Sequence, residues 1–400
     1  MVVHRVIVKP PLQSQCPVCK GLNVEPFFDI SQVPVHCNLM WPKRDDALSA
    51  PRGEIRLGFC HQCGHIFNLT FSSDLMHYSK WYENSLHFSS RFQSYARTMA
   101  ERLIDRYDLH NKEIIEIGSG KGEFLELLCE LGNNRGIGFD PGYVETGDIP
   151  ATQRVTFIQD YYSEQYARYQ ADLICCRQTL EHLYRPAEFA MMLRRSIGER
   201  KTIAFFEVPN VLFMLRSRSV WDVIYEHYSY FSSGSLAYLF TANGFRVLSV
   251  EDSYEGQYLI MDVEPSSDAL SPRFPEPQEL SQLYQDVQAF QEHFQNKVAY
   301  WRQQLGHLKA EGKRVVIWGA GSKGVTFLNA LGIRGEIEYV VDINPRKTGM
   351  YVAGSGQRIV DPSFLRVYRP DAILIMNPIY ESEIREQAHA LGLDADFLLV

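Results

Sequence analysis

Three alternating glycines, Gly118, Gly120 and Gly122, set between two short apolar stretches, restrict this chain more than any other feature. Upstream, Lys112-Glu-Ile-Ile-Glu-Ile reads as a short buried strand that runs directly into the glycines. Downstream, Glu123-Phe-Leu-Glu-Leu-Leu-Cys-Glu-Leu carries apolar side chains at helical spacing. Gly136-Ile-Gly-Phe-Asp140 then reads as a second strand ending in a carboxylate. Strand, tight turn, helix and strand form the first half of a nucleotide-binding βαβ unit. Glycine lets the backbone approach a ligand closely, and an acid ending the second strand is placed to accept hydrogen bonds from ribose hydroxyls. An α/β fold is expected.

The glycine spacing narrows the ligand. It is G-x-G-x-G, with Glu123 where a dinucleotide fingerprint wants its third glycine and Glu116 ahead of the first. This pattern resembles the first motif of class I S-adenosylmethionine-dependent methyltransferases, in which Asp140 is the ribose-binding acid. A chance glycine turn in an α/β domain is the plain alternative. Val155 to Asp160 reads as a third strand whose terminal acid, next to Tyr161, is expected to meet the adenine amino group. Ala171 to Cys176 reads as a fourth. Ligands of open parallel sheets bind at the carboxyl edge, which is where Gln178, Glu181 and His182 follow. Capping or lining a helix is the plain role for Glu181 and His182. The expected cofactor set is Glu116, Gly118, Ser119, Gly120, Gly122, Asp140, Asp160, Tyr161, Gln178, Glu181 and His182.

A chain of 400 residues, 45% of them hydrophobic, has enough apolar material for more than one core. Its net charge of -8 argues against nucleic acid as a partner, yet leaves room for an anionic small molecule held by a few local cations. Met1 to Lys9 is too short and too charged for a signal peptide, and no later run reaches membrane-spanning length. A soluble, cytoplasmic protein without a membrane partner is expected. In that setting the pairs Cys16-Pro-Val-Cys19 and Cys60-His-Gln-Cys63 favour structural zinc over disulfides. Four thiolates leave no open coordination position, so such a metal holds the fold and does no chemistry. His36, Cys37, His61 and His65 are alternative ligands nearby, whereas Cys129, Cys175 and Cys176 sit in apolar surroundings as core residues.

Two further stretches are dense in hydrogen-bonding groups. Tyr78, Trp81, Tyr82, Phe88, Phe92 and Tyr95 fall at mixed helical steps over the mouth of the glycine-turn domain, and Tyr82-Glu83-Asn84-Ser85 lies among them. After a fifth strand ending at Pro209, the run Trp221-Asp-Val-Ile-Tyr-Glu-His-Tyr-Ser-Tyr-Phe-Ser232 reads as loop. His227, flanked by a carboxylate and phenols, suits general-base chemistry: imidazole titrates near neutral pH, and phenols donate to a developing oxyanion. Glu226 orients His227 only if the backbone is irregular there, because adjacent residues on a strand or helix do not face each other, and otherwise it contacts substrate. A packed aromatic loop with one satisfied histidine is the plain reading.

The cysteine pairs, Tyr82-Glu-Asn-Ser, Glu116-Ile-Gly-Ser-Gly-Lys-Gly, Thr179-Leu-Glu-His and Tyr225-Glu-His-Tyr-Ser-Tyr-Phe occur in an order that resembles the three-domain nucleotide-sugar C-methyltransferases. The resemblance implies a small zinc-binding domain over residues 1–75, a class I methyltransferase Rossmann-like domain over 76–265, and a second Rossmann-like domain over 266–400 with a long leading helix. It further implies methyl transfer to C3 of a 4-keto-deoxysugar nucleotide. Carried over residue by residue, the family's base and its helpers fall on His227, Glu226, Tyr225 and Tyr82.

Pro265, Pro272, Pro275 and Pro277 mark a linker, after which Leu283, Val287, Phe290, Phe294, Val298, Trp301 and Leu305 keep an apolar stripe at helical spacing. Arg314 to Gly324 then supplies a G-x-G-x-x-G after a strand, and Val340-Val-Asp342 the next strand with its acid. Alone this predicts NAD(P). Methyl transfer needs no hydride carrier, however, and Lys323, Arg346 and Lys347 place cations near the turn. The favoured expectation is a nucleotide-type fold that binds part of the substrate's nucleotide diphosphate or serves as scaffold, with Asn84, Tyr230, Lys323, Arg346 and Lys347 as substrate contacts. An O- or N-methyltransferase, and an NAD(P)-dependent oxidoreductase using Gly319 to Gly324, remain the alternatives.

Overall fold

A computed structural model describes residues 13–76, 81–144, 154–217, 219–267, 272–333 and 335–400. Met1 to Lys9 and Tyr78 lie outside these. The central sheet has seven strands in the order Phe245–Ser253, Tyr258–Pro265, Ile203–Pro209, Leu173–Arg177, Glu113–Ile117, Arg135–Phe139, Val155–Ile158. Only Tyr258–Pro265 runs against its neighbours. Successive strands step outward from Glu113–Ile117 to one edge, and the chain then crosses back to Leu173–Arg177 on the other side. Such a reversal leaves a crevice at the carboxyl ends of the two middle strands, where ligands of open α/β sheets bind.

Helix Ser90–Tyr107 covers one face of this sheet. The side chain of Ser89 accepts from Phe92 N at its start, and Phe92, Ala96, Met99, Ala100, Leu103 and Ile104 recur at three- and four-residue steps on the buried side. The aromatic period read from the sequence thus enters the helix only at Phe92, and Tyr82, ahead of the helix, instead bridges Leu39 in an extended pairing.

A second parallel sheet repeats the plan in five strands, ordered Arg358–Val360, Tyr339–Val341, Val315–Trp318, Ala372–Ile375, Asp396–Leu399. It is entered through Pro277–Ala310, a helix of 34 residues. That length exceeds what one small core covers, and the helix is stabilised by packing on two partners. Phe290 and Phe294 meet Phe28 of the N-terminal sheet at centroid distances of 5.2 and 5.0 Å. Trp301 meets Phe327 of the C-terminal unit at 5.7 Å.

The N-terminal sheet is antiparallel, and its order is Val24–Pro34, Arg52–Cys60, Ile66–Asn68, Ser229–Tyr230. Its fourth strand comes from the aromatic run after Trp221, far outside residues 1–75. Asn68 N also donates to Tyr228 O at 2.9 Å. A single cluster of buried apolar residues reaches from Cys16 through Ile115 and Trp221 to Met376, so the three sheets share one interior.

Candidate active site

The glycine turn is built as its sequence suggests. Gly118, Gly120 and Gly122 have φ of 73°, 57° and 92°, in the left-handed region that glycine enters without a Cβ penalty. A Cβ at Gly118 would run into the Thr179 side chain and one at Gly122 into the Phe157 ring, whereas Gly120 faces open space. Asp140 closes the turn, its Oδ2 accepting from Gly120 N at 2.9 Å and its Oδ1 from Gly142 N at 2.7 Å. Burial pushes this carboxyl up, against the pull of those two N–H groups and of Lys121.

A cavity of about 400 Å³ opens at this edge, within the range of roughly 300–1,000 Å³ usual for small-molecule sites. It lies between the carboxyl edges of the two parallel sheets. One wall holds Glu116, Gly118, Ser119 and Gly120, with Gln178, Glu181 and His182 beside them. Tyr82, Asn84, His227 and Tyr230 complete that side, and Trp318, Gly319, Lys323, Lys347, Asn377 and Tyr380 face it from the C-terminal sheet. Asp160 and Tyr161 end their strand outside this wall. Asp160 accepts from Tyr161 N at 2.8 Å and Tyr166 Oη at 2.6 Å, and the Tyr161 side chain is 59% exposed.

Behind the wall, buried Glu207 gathers three donors: Arg177 Nη2 at 3.0 Å, Gln178 Nε2 at 3.2 Å, and the Tyr95 hydroxyl. Gln178 takes a left-handed φ of 48°, and its N–H donates to Glu207 O at 2.7 Å. Two carboxyls on the cavity have less help, Glu116 only the Arg177 charge and the Leu125 N–H, and Glu181 only its own N–H. Burial pushes both Glu116 and Glu181 up to about 8.

His227 sits in a tight turn closed by its own N–H on Ile224 O at 3.3 Å. Its ring stands edge-on to that of His182, with centroids 5.0 Å apart. Burial, and after it the neighbouring His182 and Lys323, hold the imidazole well below its ordinary value, so the ring is neutral at neutral pH and able to take a proton. His182 is anchored through Nδ1 on Glu226 O at 2.9 Å.

Comparison with known proteins agrees with this geometry. Residues 90–250 match the methyltransferase domain family and residues 276–398 the C-methyltransferase C-terminal domain family. The chain is 28% identical over 312 residues to C-methyltransferase NovU of Streptomyces niveus, covering 72% of either chain. These matches support an S-adenosylmethionine-dependent C-methyltransferase. Among solved structures, a putative S-adenosylmethionine-dependent methyltransferase of Listeria monocytogenes shares 11% identity, covering 42% of this chain and 99% of that one, with a TM-score of 0.34. The 1,6-didemethyltoxoflavin-N1-methyltransferase of Burkholderia thailandensis shares 13%, covering 51% and 96%, with the same TM-score of 0.34. No helix among the described residues is long and apolar enough to cross a membrane.

Several side chains do not stand where the sequence placed them. Tyr225 is outside the cavity: its hydroxyl accepts from Ser72 N at 2.9 Å, and its ring stacks on Phe71 at 5.4 Å. Glu226 lies in the turn that carries His227, and its side chain is directed away from the cavity. Its carboxylate accepts from Cys37 N at 2.9 Å and meets His36 Nδ1 at 3.4 Å. Tyr230 reaches the wall, yet its hydroxyl donates to Ile224 O at 3.0 Å and accepts from Ile224 N at 3.3 Å. Tyr225, expected as an oxyanion donor, and Tyr230, expected as a substrate contact, are therefore committed elsewhere, while Tyr82, the other expected donor, lines the cavity.

The expected phosphate cations are also engaged. Arg346 lies off the cavity, 3.3 Å from Glu83 Oε2 and 5.4 Å over the Phe88 ring. Lys323 is paired with Asp222 and donates to Ser219 Oγ at 3.2 Å. Lys347 is buried, its Nζ 3.4 Å from both Ala320 O and Asp342 Oδ2. Asp342 meanwhile accepts from Ala320 N and Asn344 N, each at 2.9 Å, the same device by which Asp140 closes its own turn. Sequence spacing gave no sign of Glu83, Asp222 or Glu207, whose partners lie far along the chain.

Cys16, Cys19, Cys60 and Cys63 converge, with all four sulfurs within 4.8 Å of one another. Cys16 Sγ is 3.6 Å from Cys63 Sγ and Cys19 Sγ is 3.5 Å from Cys60 Sγ. A tetrahedral zinc–thiolate site with bonds of about 2.3 Å has edges of about 3.8 Å. Both hairpins continue into a left-handed residue, Lys20 at 65° and Gly64 at 71°, which turns the chain back under the sulfurs. The alternative ligands point elsewhere: His61 meets Glu25 at 2.8 Å, and His65 is packed against the Phe67 and Phe231 rings.

Proposed function

We propose that this C-methyltransferase moves the sulfonium methyl of S-adenosylmethionine onto a carbon next to a ketone, C3 of a 4-keto-deoxysugar nucleotide, with His227 as general base. The observation that carries this is a neutral imidazole in the wall of a cavity that also holds the glycine turn. A ketone acidifies its neighbouring carbon; His227 takes that proton, and the carbanion attacks the methyl in line. Glu116, Gly118 to Gly120 and Asp140 hold the cofactor, while Tyr82 and Asn84 face the acceptor. The C-terminal sheet closes the far side of the cavity and receives the nucleotide part through its backbone, since its lysines are already paired and Asn377 is bonded to Gln257 at 3.0 and 3.2 Å. Cys16, Cys19, Cys60 and Cys63 hold a structural zinc.

His227→Ala tests the base. General-base catalysis contributes about 10²- to 10⁴-fold, so turnover should fall by that factor while calorimetry shows unchanged cofactor affinity. Deuterium exchange at the acceptor carbon, followed without cofactor, should stop in the same variant. Unimpaired turnover removes His227 from the mechanism. An acceptor methylated on oxygen or nitrogen, with no exchange at carbon, would favour a heteroatom methyltransferase instead.

A further inference from the structure

Once Tyr225 and Tyr230 are committed, Tyr82 is the expected phenol left in the cavity wall, and the ketone oxygen on which charge builds as the proton leaves calls for a donor close to His227. Other polar groups in the wall are engaged as well. Gln178 Nε2 is on Glu207, Lys323 on Asp222, and Asn210 Nδ2 on Asp252 Oδ1 at 3.2 Å and Gly256 O at 3.1 Å. Among the described residues of the wall, Glu116 Oε2, Ser119 Oγ and both carboxyl oxygens of Glu181 are exceptions. Glu116 and Ser119 belong to the glycine turn, whereas Glu181, 1% exposed, clusters with His227 and has no hydrogen-bond partner in another residue, its nearest ring nitrogen being His182 Nε2 at 3.9 Å.

We propose that Glu181 is a catalytic residue that carries its proton at neutral pH and donates a hydrogen bond to the acceptor's ketone oxygen as it becomes an enolate. A buried carboxylate with no hydrogen-bond donor from another residue, and His182 Nε2 only at 3.9 Å, is costly, whereas the neutral acid is both tolerated there and a donor. Burial pushes this carboxyl up to about 8, against the pull of its own backbone N–H. The groups around it are His182 and His227 at the cavity, Cys176 on the strand before it, and Glu207 on the adjacent strand, whose charge also favours the protonated form.

The placement suits the reaction. A carboxyl oxygen of Glu181 and a ring nitrogen of each of His182 and His227 lie within 4.8 Å of one another. A proton on the α-carbon and the ketone oxygen sit on adjacent carbons, so base and donor must stand this close, each within about 3 Å of its target. His227 takes the α-proton and the C–H electrons form the enolate, whose oxygen is held by the Glu181 O–H. The α-carbon then bonds to the methyl as the sulfur–methyl bond breaks, releasing S-adenosylhomocysteine and restoring the ketone. Glu181 ends with the proton it began with.

This inference rests on the ketone-directed reading above. The test compares the full-length wild type with Glu181→Gln and Glu181→Ala, using S-adenosylmethionine and a 4-keto-deoxysugar nucleotide across neutral and alkaline pH. Deprotonation removes the donor, so wild-type kcat should fall as pH rises through about 8. Glu181→Gln, a donor that does not ionise, should retain turnover within about tenfold and lose that alkaline fall, while Glu181→Ala should lose about 10²- to 10³-fold, with cofactor affinity unchanged in both. Glutamine as inactive as alanine, or an alkaline fall that survives in Glu181→Gln, overturns the proposal. So does a divalent cation bound beyond the one held by the four cysteines, in wild type and in neither Glu181 variant, since Glu181 would then act as a carboxylate ligand. Should either variant fail to fold, wild-type exchange at the acceptor carbon supplies the readout: it should share the alkaline fall, and a flat profile overturns the donor role. A wild type that neither exchanges nor methylates the keto-sugar sinks the ketone reading itself, whereas an active wild type beside an inactive Glu181→Gln sinks this inference alone.

Discussion

Tyr225 and Glu226 precede His227 in the chain and serve it from behind. Tyr225→Phe removes one hydrogen bond to Ser72 N, so it should lower stability by about 1 kcal/mol in denaturant titration and leave turnover within about twofold. Glu226 matters more, because its carboxylate binds Cys37 N while its carbonyl anchors His182. Burial alone would raise this carboxyl, but the His36 bond, the His182 ring and the Cys37 N–H together hold it below the usual carboxylate range. A depressed carboxyl contributes stability that is present above its unfolded value and lost as pH falls through the folded one. Melting temperature against pH should therefore show an acid limb that Glu226→Gln flattens. His227 itself was legible from its residue type and its setting. The direction of its neighbours was not, because that depends on which sheet captures Ser229 and Tyr230. The charges of Arg346, Lys323 and Lys347 were equally legible, and their partners Glu83, Asp222 and Asp342 were visible only once distant segments met.

Local elements follow local rules, which is why most strands and the long helix could be read from apolar spacing. Both parallel sheets use an acid after the second strand to close a glycine turn, and in each case strand, turn and acid fall within one short stretch of chain. The first turn invites a comparison of two single substitutions. Gly118→Ala and Gly120→Ala face similar backbone strain, at φ of 73° and 57°, but only the first drives a methyl into Thr179. Gly118→Ala should weaken cofactor binding more than Gly120→Ala by calorimetry, with the larger drop in melting temperature. Equal losses would mean that strain alone, and not the close approach of Thr179, governs the turn.

Across the whole molecule, the sheet that carries the cysteines also carries the strand leading out of the base loop. Ile66 pairs with Tyr230 and Phe67 with Ser229, a few residues beyond Cys63. Cys63→Ser, or chelation of a bound metal, should therefore abolish turnover and deuterium exchange while S-adenosylmethionine still binds, since the glycine turn is held by a different sheet. Loss of cofactor binding in step with turnover would show instead that the three sheets unfold together. None of this long-range pairing was readable from spacing, because Ser229–Tyr230 has no more apolar pattern than any short loop. It carries a rule for building chimaeras with relatives. An N-terminal module exchanged at a single junction near residue 75 would arrive without the edge partner it was shaped around, so a working graft has to be discontinuous and bring the donor's counterpart of residues 228–231 with it.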